Sequence, residues 1–267
     1  GLALTAASFA LTAFQTSLLA QTWPAKPITI VVPFPPGGAS DNTARALTAS
    51  LGAALGQPVI IENKPGANGG IGATYVKQAR PDGYTLLVGS IGVYAINPVL
   101  YPKLTYDPAK DFDLVTVAVR TPNVLVASTQ FAAGSVRELI DAMKRTPATI
   151  TFANSGEGSS DHLTAALFWQ KAGATGIHVP YKGGGPAITD LIGGHANVSF
   201  QNLGSVASQL KAGKLKLLAV ASDKRLSEFP DAPTLAEAGV PGVEVFSWQA
   251  VAAPKGLPAD VRTKLEA

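Results

Sequence analysis

Apolar residues along this chain switch repeatedly between two spacings. Short continuous apolar runs fall at 28–32, 58–62, 84–88, 114–119, 123–128, 149–153, 177–180, 196–200 and 216–221. Runs of this length, bounded by Gly, Pro or Asp, predict buried strands. Between them lie stretches whose apolar residues recur every three or four positions. In 41–55, Ala44, Leu47, Leu51, Ala54 and Leu55 share one helical face, and Gly56 stops the helix. Ser135 and Glu138 form a capping box ahead of Val136, Leu139, Ile140 and Met143. Further helices are predicted over 161–171, from Pro186 as an N1 proline to Ile192, over 205–210, and from Pro258 to the end of the chain. Strand, glycine loop and helix thus alternate closely, which predicts open, mostly parallel α/β sheets.

Length turns one sheet into two. A chain of 267 residues suits two lobes of roughly 100 residues each better than one core. Its 46% hydrophobic content supplies core enough for a globular fold. Charged residues make up only 15% of the chain, against about 25% in an average domain. The net charge of +3 comes from scattered residues without a Lys/Arg run, so a nucleic-acid partner is not expected. Cysteine is absent, which removes disulfides, thiolate zinc sites and Cys nucleophiles together and suits an oxidising compartment.

The first 25 residues carry no charge, and 2–20 are rich in Ala, Leu, Thr and Phe and end in Ala20 before Gln21. Residues 1–20 therefore read as an incomplete secretory signal peptide, and a periplasmic location follows. A membrane anchor is the competing reading, but Thr, Ser and Gln dilute the apolar run. The basic stretch that precedes a signal's apolar core is missing, so the natural start is expected to lie upstream.

Three strand-to-helix junctions share one design. They are Pro33-Phe34-Pro35-Pro36-Gly37-Gly38-Ala39-Ser40-Asp41, Asn154-Ser155-Gly156-Glu157-Gly158-Ser159-Ser160-Asp161, and Tyr181-Lys182-Gly183-Gly184-Gly185-Pro186. Their glycines let backbone approach a ligand. Each delivers free N–H groups at a helix N-terminus, where an anion is favoured. In open parallel sheets such loops line the crevice beyond the carboxyl ends of the strands. Rival chemistry is weaker. Gly156-x-Gly158-x-x-Asp161 puts Asp at the third glycine of a dinucleotide fingerprint, where it would face a pyrophosphate badly. Ser159, Asp161 and His162 lie together without a nucleophile elbow, and His162 reads as a helix-start residue bonded to backbone. The three histidines lack metal-ligand spacing, so no metal site is expected. Trp23, Trp169 and Trp248 read as packing residues.

At these loops the chain resembles the TctC/Bug family, extracytoplasmic receptors of tripartite tricarboxylate transporters. The matching segments include 33–41, Glu62-Asn63-Lys64-Pro65-Gly66-Ala67, Pro81-Asp82-Gly83-Tyr84-Thr85-Leu86-Leu87, Asn97-Pro98, Tyr106-Asp107-Pro108 with Asp111-Phe112, Val179-Pro180-Tyr181-Lys182-Gly183, Pro186-Ala187 with Asp190-Leu191, and Pro233-Thr234 with Glu237-Ala238-Gly239. They run in family order from Trp23 to the last residue. The resemblance implies a type II periplasmic-binding-protein fold: two α/β lobes, an interlobe cleft and two crossover strands. The first lobe would hold 23–121 and 222–267, the second 122–221. Some tens of residues of the family's C-terminal segment are missing, so truncation is expected there.

The resemblance also implies a receptor, not an enzyme, with no cofactor. It would bind a small organic acid as a monomer and hand it to the transporter's membrane subunits. Carried over by position, the first-lobe contacts would be Phe34, Pro35, Gly37, Gly38, Asp41 and Ser90. Those of the second lobe would be Ser155, Gly156, Ser159, Gly183, Gly184 and Gln201. Gln201 stands where the family usually has an acidic residue before Asn202, so an amino acid is not the expected ligand. A sensor feeding a signalling partner is the first alternative, and an α/β hydrolase using Ser159 or His162 the second.

Overall fold

The computed structural model describes residues 23–267; the expected signal peptide lies outside the described residues. In chain order the elements are β1 (Ile28–Val32), α1 (Ala39–Leu55), β2 (Val59–Asn63), α2 (Gly70–Lys77), β3 (Thr85–Ser90), α3 (Asn97–Leu100), α4 (Pro108–Asp111), β4 (Phe112–Ser128), α5 (Val136–Arg145), β5 (Thr151–Asn154), α6 (Ser160–Ala172), β6 (Ile177–Pro180), α7 (Gly184–Ile192), β7 (Val198–Asn202), α8 (Leu203–Lys211), β8 (Leu215–Val220), β9 (Phe246–Pro254) and α9 (Ala259–Glu266). Among the described residues no helix is long and apolar enough to cross a membrane.

Two half-sheets have the same plan. One runs β2-β1-β3-β9-β4, the other β6-β5-β7-β4, with β8 on the far edge of β4. In each, three strands are parallel and the next is antiparallel. This is the type II architecture that the family resemblance implied. Successive residues along a strand feed opposite faces. Ile30 and Val32 pack towards α1 and α9, while Val31 packs towards α2. In the second half Leu125 and Ala127 pack with Phe152 and Phe168, while Val124 and Val126 pack with Ala187 and Leu191.

Strand β4 belongs to both halves. Its first part pairs with β9 from Phe112 to Pro122, and its second part pairs with β7 and β8 from Asn123 onward. The sequence suggested two strands, 114–119 and 123–128. The structure corrects this to one strand, because Pro122, which has no N–H, falls where pairing passes from one half-sheet to the other. A second strap runs through Val245. Asn123 N donates to Val245 O, Val245 N to Ala221 O and Ala221 N to Asn123 O, each at 2.9 Å. Before that strap, Leu235, Val240 and Val243 pack into the core of the second half with Phe152 and Phe168.

Another correction concerns Pro186. The helix begins at Gly184 with Gly183 as its N-cap, so Pro186 is the third helical residue and not the first. The missing N–H costs nothing there, since the first four amides of a helix have no intrahelical partner.

Candidate functional site

The loop after β1 is shaped by Asp41. Gly37 takes φ +84°, in the left-handed region. Its N–H donates to Asp41 Oδ2 at 3.0 Å, and the same carboxylate accepts from Arg45 (2.8 and 3.1 Å) and from Asn63 Nδ2 (2.9 Å). Burial alone would raise the Asp41 carboxyl. The bonds from Arg45, Asn63 and the Gly37 amide outweigh it and hold the group below its ordinary value. Asp41 therefore braces its own loop and does not line the cavity.

The loop after β5 is braced in the same way. Asp161 Oδ2 accepts from Ser155 N and Ser155 Oγ, both at 2.7 Å. Ser159 caps α6 by accepting from His162 N at 3.3 Å, and its hydroxyl donates to Gly156 O. His162 Nδ1 accepts from Gly158 N at 3.2 Å, the backbone role that its position suggested. Ser159, Asp161 and His162 thus form no chain of nucleophile, base and orienter.

These loops meet across the cleft. Gly38 faces Gly184, Pro35 covers Gly183, and the Tyr101 hydroxyl donates to Glu157 O at 2.9 Å across the mouth. They enclose a cavity of about 40 Å³. Four helices of nine residues or more send their N-termini to it: α1 through Gly38, Ala39 and Ser40, α6 through Ser159, Ser160 and Asp161, α7 through Gly184, and α8 through Asn202 and Ser205. The caps Gly38, Gly183 and Asn202 make no side-chain capping bond, which leaves first-turn amides free for a ligand. Each helix end carries about half a positive charge. Among the described residues no Lys or Arg lines this cavity, so the donors it offers an anion are backbone amides and neutral side chains.

Phe34, Gly38, Ser90, Ser155, Ser159, Gly184 and Gln201 of the sequence-derived set line the cavity. Pro35, Gly37, Asp41 and Gly183 lie behind its wall, and Gly156 lines an outer groove that shares Asn68 and Ser155 with the cavity. Sequence reasoning missed Ala39, Ser40, Asn68, Ser160, Asp161, Asn202, Ser205 and Ser247. The first turns of the predicted helices already held Asp161 and Ser205, and Ser160 stood directly before the first of them. Ser247 had no such signal, since its strand was not recognised. Its hydroxyl is buried without a partner. Asp161 is 3% exposed, and burial pushes its carboxyl above its ordinary value against the hydrogen bonds of Ser159 and Ser155.

Amides run along the hinge beneath the cavity. Gln249 Nε2 donates to Asn202 Oδ1 (3.2 Å), Asn202 Nδ2 to Asn123 Oδ1 (2.6 Å) and Asn123 Nδ2 to Thr164 Oγ1 (2.8 Å). They join β9 of the first half to β7, β4 and α6 without a buried charge.

Two hinged half-sheets closing on a cleft lined by helix N-termini define a solute-binding receptor of the periplasmic-binding-protein class. The chain belongs to the tripartite tricarboxylate transporter receptor family, TctC, whose profile matches residues 43–267. It is 40% identical over 238 residues to the protein BugT of Bordetella pertussis, covering 89% of this chain and 73% of BugT. A protein of R. palustris solved with adipate superposes with a TM-score of 0.88 at 40% identity, covering 91% of this chain and 81% of that one. MatC from Rhodopseudomonas palustris with bound malate superposes at 0.85 and 36% identity, covering 91% and 83%.

Proposed function

We propose that this receptor works in the periplasm, captures a small organic carboxylate between its lobes, and delivers it to the membrane subunits of a tripartite tricarboxylate transporter. One observation carries the reading: four helix N-termini converge on a cavity without a Lys or Arg. Such a site recognises carboxylate oxygens by directed amides and hydroxyls, so shape and hydrogen bonding select the ligand. The lining members of the sequence-derived set, from Phe34 to Gln201, would contact the acid, and Asp41 would shape the loop behind them. Adipate and malate, held by the two relatives, set the size range. The lobes would be 23–122 with 246–267, and 123–245. That return is later than the sequence-based 222, because Leu235, Val240 and Val243 pack with the second lobe. The receptor would bind the acid as a monomer and without catalysis.

A thermal-shift screen of the protein from residue 21 onward tests this reading. Malate, succinate, adipate and simple aromatic acids are the probes. A cognate acid at 100 times its Kd should add about 2.7 kcal/mol of stability and raise Tm measurably. If no acid at millimolar concentration moves Tm, the carboxylate reading fails.

A further inference from the structure

Among the described residues Asp161 is the one ionisable side chain lining the inner cavity. Its Oδ2 accepts from Ser155 N and Ser155 Oγ, and from Gln201 Nε2 at 3.4 Å. All three donors are neutral, and Asp161 forms no ion pair among the described residues. The elements around it supply none. Strands β7, β5 and β4 present the amides Gln201, Asn154 and Asn123. On its own helix, His162 is turned to the Gly158 amide and packs against His178 of β6, ring centroids 4.1 Å apart and planes tilted by 57°. Glu157 lines the outer groove, as does Lys182 of the loop before α7, and Asp41 across the cleft is paired with Arg45.

An incoming carboxylate therefore lands beside a buried carboxyl that no side-chain cation offsets. Two acid groups in one dry site do not both ionise freely; one of them holds a proton. We propose that Asp161 makes the receptor bind its acid together with one proton, shared between Asp161 and the ligand's inner carboxyl group. This rests on the cleft being a carboxylate site. The proton comes from solvent as the lobes close and returns to it as they open, so release of the acid also releases a proton. The ligand class narrows accordingly, to acids that can present one carboxyl as a hydrogen-bond donor.

Calorimetric titration with succinate, malate and adipate between pH 6 and 8, in buffers of different protonation enthalpy, tests this. The account expects uptake approaching one proton per acid bound and affinity that falls by up to about tenfold per pH unit. The variant Asp161→Asn keeps an acceptor oxygen for Ser155, and its affinity should vary with pH only as far as the ligand itself titrates. Buffer-independent heats with flat affinity in the unaltered protein would overturn the proposal and leave the carboxylate cleft standing. Preference for aspartate over succinate without proton uptake would put a ligand ammonium on Asp161, and would overturn it too. If none of the acids binds, the carboxylate reading falls and this inference with it.

Discussion

Gly185 shows how a single side chain can gate the cleft. It lies in the first turn of α7, and a Cβ built on it would clash with the carbonyl oxygen of Pro36 on the opposite lobe. Alanine is favoured over glycine within a helix by about 1 kcal/mol, so Gly185→Ala should leave the open protein at least as stable. It should block full closure and weaken acid binding by about tenfold or more. Calorimetry beside a ligand-free thermal scan checks this. Unaltered affinity would mean that the lobes need not meet at Pro36. The glycines were legible as such, because runs of Gly after a strand have few other uses. Asp161 was legible only as a helix-start residue. Its inward aim depends on how Asp161 of α6, Ser155 of the loop after β5 and Gln201 of β7 are brought together, which no local spacing encodes.

Between elements, Asp113 is the fastening that pH can probe. It sits at the start of β4 and accepts from Lys255 Nζ (2.9 Å), Gly256 N (2.8 Å) and Leu257 N (2.9 Å), tying that strand to the end of β9 and the approach to α9. Burial would raise its carboxyl, but the bonds from Lys255, Leu257 and Gly256 prevail and lower it to about 2. A group whose folded value is depressed stabilises the fold above its unfolded value, near 3.9, and loses that contribution as pH falls towards 2. Tm should therefore drop between about pH 4 and pH 2, and the drop should be smaller in Asp113→Asn, which starts from a lower Tm at neutral pH. Equal acid sensitivity in both proteins would contradict this role.

Most elements could be read from periodicity, because parallel strands buried on both faces are continuous apolar runs. Strand β9 could not. Ser247 and Gln249 interrupt it, and Ala250, Ala252 and Ala253 give a weak apolar signal. Yet Ala252 and Ala253 are fully buried, because β9 lies between β3 and β4. Helix α2 was missed for a similar reason, since it opens on Gly70-Ile71-Gly72 with little helical preference.

At the scale of the whole molecule, the matched half-sheets explain why the site lies where it does. Each half delivers its glycine loops from the carboxyl ends of its parallel strands, and β4 passes between the halves so that those ends face each other. Backbone amides from both sides then share one ligand, and the closed form is favoured by the ligand's preference for it. The Tyr101–Glu157 bond and the Gly38–Gly184 contact exist only when the lobes are together, so they add to that preference without touching the acid. Small-angle scattering of the protein, with and without a saturating acid found in the thermal screen, measures this directly. The account predicts a smaller radius of gyration with ligand than without, and less compaction in Gly185→Ala under the same saturation. An unchanged radius in the unaltered protein at full occupancy would contradict a receptor that closes on its ligand.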